Sequence, residues 1–161
     1  MSRSDREPIL SSEVVSFVHS GVAVTVATRD EGMRPAVTRG WGPELSADRR
    51  ALMLLVIAPS GSQTRENLEG NGAIAVGFGL PTVARAVQVK GVVEAVRDAG
   101  PSELERAERH LRLFCAEAGQ FGIPERLAGR MFGQTSDFVS VTFPIEEAFD
   151  QSPGPGAGQR L

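Results

Sequence analysis

Val22-Ala23-Val24-Thr25-Val26-Ala27-Thr28, then Asp30-Glu31-Gly32, then Pro35 to Trp41, is the stretch on which the fold turns. Its first seven residues are β-branched or small and show no apolar stripe at helical spacing, so they predict a strand. Asp-Glu-Gly is a turn signal, and Pro35 to Trp41 supplies a second strand that makes the pair a hairpin. Ahead of the hairpin, Leu10 to Ser20 predicts a short helix, with Ser11 as cap, Leu10 and Val15 as hydrophobic staple and Gly21 at its end. Behind it, Ala51 to Ile57 is apolar throughout, as in a strand covered on both faces. Ala73 to Phe78 predicts a fourth strand. Arg85 to Val96 predicts a fifth, alternating Val87, Val89, Gly91 and Val93 with Gln88, Lys90 and Val92.

Between the third and fourth strands, Ala58-Pro59-Ser60-Gly61-Ser62-Gln63-Thr64 is a polar turn into a short helix near residues 65–69, stopped by Gly70-Asn71-Gly72. A longer helix opens at Pro101, where Ser102 and Glu105 have capping-box spacing; Leu104, Ala107, Leu111, Phe114, Cys115 and Ala118 form its apolar stripe. Glu125 to Phe132 predicts a further short helix, and Asp137 to Phe143 a last strand with Val139, Val141 and Phe143 on one face. Hairpin-length links in the first half exclude an alternating βαβ sheet. Five or six antiparallel strands with three or four helices predict a mostly β protein, a small barrel flanked by helices. Residues 1–8 are charged and read as a flexible N-terminus, residues 9–150 as the domain. In 151–161 Gly and Pro dominate, which predicts a disordered tail.

The chain has 161 residues, 41% hydrophobic and 23% charged, enough for one domain with its own core. A net charge of -3 argues against a nucleic-acid binder held by phosphate contacts. The N-terminus lacks the apolar stretch of a signal peptide, and the uncharged runs 51–64 and 70–84 are too short for a bilayer, so no membrane partner and a cytoplasmic location are expected. Cys115 is alone, which excludes an internal disulfide, a CxxC pair and a thiolate-rich zinc site. His19 and His110 are too few for a histidine-based metal site; they read as a helix-end residue and a solvated helix residue. Lys90, the single lysine, lacks the glycines of a phosphate loop. Gly70 to Ala75 spells GxGxxA but follows a helix and precedes a strand, the reverse of a dinucleotide site. There is no tyrosine and no nucleophile elbow, and Glu146 and Glu147 are adjacent and diverge in an extended chain. No residue stands out as a catalytic acid or base.

One segment carries more chemistry. Ser60, Ser62 and Thr64 bring hydroxyls, Gly61 permits close backbone approach, and Arg65 lies in the first turn of the helix that follows. Free amides there suit a phosphate or carboxylate. A plain capped turn, with Ser62 or Thr64 as cap, explains the same residues.

The order of these pieces resembles the FMN-binding split-barrel family related to pyridoxamine 5'-phosphate oxidase. The pieces are Val22 to Asp30 with Arg34-Pro35, Leu52-Met53-Leu54-Leu55, Ser60 to Leu68, Gly72 to Val76 and Val87 to Glu94, covering about residues 10 to 97. The resemblance implies a six-stranded antiparallel split β-barrel and a homodimer with FMN at the interface, an oxidoreductase of a small molecule. In the family a serine or threonine after the third strand is followed by Arg-Lys, which grips the phosphate. Here Ser62 matches the hydroxyl, Gln63 and Thr64 stand at the basic pair, and Arg65 follows. The family's arginine three residues after the proline falls on Thr38, with Arg39 next. The residues implied for cofactor binding are therefore Arg39, Ser60, Ser62, Gln63, Thr64 and Arg65, with Arg85 as a further cation. Arg29, Trp41 and Gln88 are candidates to line the ring, or else a turn, core and strand residue. Relatives also use a deazaflavin or haem, or are stress-related proteins without a defined substrate, so a non-catalytic ligand-binding dimer on the same fold stays open.

Overall fold

The computed structural model describes residues 9–161, so the expectation for residues 1–8 lies outside the described residues. The elements follow as α1 (Ser12–Val18), β1 (Ala23–Arg29), β2 (Pro35–Leu45), β3 (Ala51–Ile57), α2 (Gln63–Glu69) and β4 (Ala73–Leu80). Then come β5 (Arg85–Val92), β6 (Ala95–Asp98), α3 (Pro101–Gly119), α4 (Glu125–Gly129) and β7 (Phe138–Asp150). All strand pairs are antiparallel, and β1, β2, β3, β7, β5 and β4 close in that order into a six-stranded split barrel, with β6 added beside β7.

The 13-residue β7 makes this closure possible by changing partners halfway. Phe138 to Pro144 pair with β3, whereas Ile145 to Asp150 pair with β5. At the crossover β5 and β7 touch backbone to backbone: a Cβ on Gly91 would lie 2.3 Å from the Pro144 carbonyl oxygen.

Strand alternation fills the interior. Val24, Val26, Leu52, Leu54, Val76, Val89, Val141 and Phe143 are buried there, joined by Val14, Phe17 and Val18 of α1. A second cluster lies outside the wall, where Trp41, Leu55 and Phe138 meet Ala107, Phe114 and Ala118 of α3 and Ala128 of α4. The Trp41 and Phe114 rings meet edge to face with centroids 5.4 Å apart.

Three local expectations change. The single fifth strand is two strands, because the chain changes neighbours: Val93 N–H donates to the Gly72 carbonyl, and Glu94 N–H already donates to Thr142 on β7. The cap of α3 is Gly100 with Glu103, not Ser102 with Glu105; Pro101 takes the first helical position and Glu103 accepts from the Gly100 N–H at 2.8 Å. Residues 151–161, which composition marks as disordered, instead fold back: Gly158 N–H donates to the Asp150 carbonyl, Leu161 N–H to Ala148, and Arg160 bridges Phe149. They cover the edge of β7 where β3 has ended.

Candidate functional site

The outer wall has two parts. Under α3 and α4 it carries Trp41, Leu55 and Phe138. Over β1, β4, β5 and the first half of β2 it is half-buried or exposed and carries mostly small residues. Cross-strand register sets the rows of this open part, because residues paired across strands share a face. One row is Arg39, Thr25, Gly77 and Gln88; the next is Val37, Ala27, Ala75 and Lys90. Two shallow depressions result. One of about 370 Å³ is floored by Thr25, Ala27, Ala75 and Gly77. The other, of about 490 Å³, lies toward Thr28, Arg29, Lys90 and Glu147.

Arg39 stands at the border of the two parts. Gly40 pairs with Val56, so Arg39 lies beside the end of β3 from which the polar turn leaves, and its neighbour Thr38 donates to the Ile57 carbonyl at 2.9 Å. Among the described residues the Arg39 guanidinium has no hydrogen bond or ion pair, and burial pulls its pKa below the ordinary arginine value.

The turn itself is largely committed to its own helix. Ser62 Oγ accepts from the Arg65 N–H at 3.2 Å and caps α2. Gln63 Nε2 donates to Asn67 Oδ1 at 2.8 Å, and Asn67 Nδ2 donates to Thr28 Oγ1 at 3.0 Å, which ties α2 to β1. Thr64, at the expected basic position, is buried. Arg65 is held by Glu69 one turn on, and Ser60 is exposed at the tip. Arg85 pairs with Glu13 of α1 at 2.9 Å and lies over the Phe17 ring, so its charge is engaged away from the turn. The structure thus brings Arg39 and the turn to one end of the barrel and withdraws Arg65 and Arg85.

Trp41 is in the covered cluster, Gln88 is half-buried on the open face, and Arg29 bonds the neighbouring Asp30 carbonyl. His110 corrects an expectation: it is 5% exposed rather than solvated, because α3 turns it onto β2. The buried Glu103 is saturated. Burial pushes its carboxyl up, but the Arg97 fork, the Gly100 N–H and the Ser140 hydroxyl outweigh this and hold it at about 2. Glu103 therefore fastens β6, β7 and α3 and is no proton donor. What the residue patterns left unread is a bulge of β2 at Gly42-Pro43, gripped by Arg106 and His110. Their spacing of four on a helix, opposite a Gly-Pro break in a strand, was its signal.

No family model and no curated protein matches the chain. Solved structures do. A protein of Lactobacillus delbrueckii assigned as a pyridoxamine 5'-phosphate oxidase is 19% identical, with 92% of this chain and 99% of that one covered and a TM-score of 0.55. An F420 reductase is 18% identical over 83% and 93% of the two chains, also with a TM-score of 0.55. An FMN-binding protein from Syntrophomonas wolfei is 14% identical over 87% of each chain, with a TM-score of 0.51. The fold is that of the pyridoxamine 5'-phosphate oxidase-like split barrels.

Proposed function

We propose that this chain binds a flavin-type cofactor, FMN in the first place, at the open face of a cytoplasmic homodimer, and acts as an oxidoreductase on a small molecule. The observation that carries the reading is Arg39. A partly desolvated guanidinium with no counter-charge is costly unless an anion reaches it, and it stands beside the hydroxyl-bearing turn. The fit to a phosphate is one cation, the exposed Ser60 hydroxyl, and the N–H groups of Gln63 and Thr64, which in a first helical turn have no intrahelical acceptor. Gly61, at φ +75°, leaves open space beside them. The Ala and Gly floor admits a flat ring or a second copy at close range, and one compared structure is an FMN-binding protein and another an F420 reductase.

When bound, the flavin supplies the electron transfer. This chain would hold the phosphate with Arg39 and the turn and orient the ring against the small-residue floor.

A second reading, a dimeric ligand-binding module without a redox role, is favoured by one specific observation. The Gln63 amide is committed to Asn67, Thr64 is buried and Arg65 is neutralised by Glu69, so the turn offers no second cation.

The test is a visible spectrum of the purified protein followed by titration with FMN, a deazaflavin and haem. Low-micromolar FMN affinity, about 8 kcal/mol of binding, supports the flavoprotein. Arg39→Ala is then expected to weaken it about 10- to 100-fold, the range of a lost charge-assisted bond. A colourless dimer that binds none of the three overturns it in favour of the second reading.

A further inference from the structure

β2 is interrupted where α3 docks on it. Its register against β3 shifts between Trp41 and Glu44, and Gly42 in that bulge has φ +58°. A Cβ on Gly42 would lie 2.9 Å from the backbone nitrogen of Ala107, so the helix comes this close only over glycine. Side chains one helical turn apart then hold both backbone groups of Gly42. Arg106 Nε donates to its carbonyl at 2.8 Å, and its N–H donates to His110 Nδ1 at 3.1 Å. Three residues on, the Leu45 N–H donates to Nε2 of His19, the C-cap of α1, at 3.3 Å.

The chain has two histidines. Each comes from a different helix; His110 accepts a backbone N–H inside the bulge and His19 one just past it, where β2 has rejoined β3. A ring nitrogen that accepts carries no proton, so both rings are neutral in this arrangement. His110 uses its other nitrogen to donate to the Val22 carbonyl at 2.9 Å, which fixes its tautomer.

We propose that the two histidines form an acid-released clasp: protonating them removes both acceptors and frees the α1 and α3 cap from the β2 bulge while the barrel persists. An imidazolium only donates, so the Gly42 and Leu45 N–H groups would each face another donor. The clasp closes a cleft of about 260 Å³ between α1, β2 and α3. Among the described residues, the charged groups lining it with the two rings are Glu44 from β2 and Arg106 and Arg109 from α3. In that cleft α1 adds no titratable group beyond His19, and ahead of β1 Val22 offers only its carbonyl.

Burial lowers the pKa of His19, Glu44 opposes this and Arg106 adds to it. Glu44 is already paired with Arg106 at 2.6 Å. A charged His19 would compete for that carboxylate and loosen the arginine that holds the Gly42 carbonyl. Burial pushes the deeper His110 down to about 4.

Trp41, the only tryptophan, reports the event: its ring centroid lies 5.4 Å from that of His110, near enough for an imidazolium to quench its fluorescence. The whole chain is titrated from about pH 7 to about pH 3.5, following Trp41 fluorescence, far-UV circular dichroism and the two histidine ring signals by NMR. His19→Gln, which gives the Leu45 N–H an uncharged acceptor, is carried in parallel. The expected result is a Trp41 change that precedes loss of the sheet signal, coupled to uptake of two protons in the parent and one in His19→Gln. Fluorescence and circular dichroism changing together in both proteins, or an unchanged proton count in His19→Gln, overturns the clasp.

Discussion

The covered and the open parts of the outer wall belong to one barrel, yet they are built from opposite residue types. Beneath α3 the wall presents Trp41, Leu55 and Phe138, and the helix answers with Phe114 and two alanines that let it come close. Across β1 and β4 the wall presents Thr25, Ala27, Ala75 and Gly77. Large side chains mark the surface this chain covers for itself, since they supply area to bury against a helix. Small ones leave a smooth surface that gains little from its own helices and admits a flat ligand or a second sheet.

That contrast breaks most visibly at Trp41. Trp41→Ala is expected to cost about 3–5 kcal/mol in denaturant unfolding, the range for a buried aromatic, whereas Thr25→Ala on the open face should stay within about 0.5 kcal/mol. Equal costs would abolish the distinction. The next effect is in acid. His110 moves from 6.5 unfolded to about 4 folded, so the unfolded chain binds more protons between those values. Stability is full above about pH 6.5 and falls as pH drops toward 4, by about 3 kcal/mol in all. Urea midpoints across this window would show it, and His110→Gln should flatten the slope. Gly42→Ala, which puts a methyl against the Ala107 backbone at positive φ, should cost about 2 kcal/mol. It should also raise amide exchange in α3 before that in β4. Smallest in monomer stability is Ala75→Arg. On the open face it should turn the proposed dimer into monomers by sedimentation while leaving the circular dichroism of the barrel intact.

Much of the barrel is legible residue by residue because hairpins, caps and alternation are local. Ala51 to Ile57 coincides with β3, and Ser11 caps α1 by accepting the Val14 N–H. What stays hidden is where remote segments meet. The fifth strand reads as continuous because Val92, Val93 and Val96 are β-branched and no turn residue interrupts them; only the position of β7 splits it. His110 looks solvated because its partner Gly42 lies 68 residues away. At the candidate site the hydroxyls and glycine of the turn are plain in the sequence. Arg65 also reads as an available cation there, yet Glu69, four residues on, has the spacing to occupy it. Arg39 depended on a register that no local pattern gives.

The folded-back segment 151–161 also has a bearing on how copies of this molecule behave when crowded. Once β3 ends, the last residues of β7 would offer a ribbon of unmet donors and acceptors, a template on which another chain could lengthen the sheet without limit. By laying Gly158 and Leu161 against Asp150 and Ala148, the chain insulates that ribbon with its own end. Strand addition at this edge is thereby blocked, which leaves the flat Ala and Gly face as the surface on which the proposed dimer would meet.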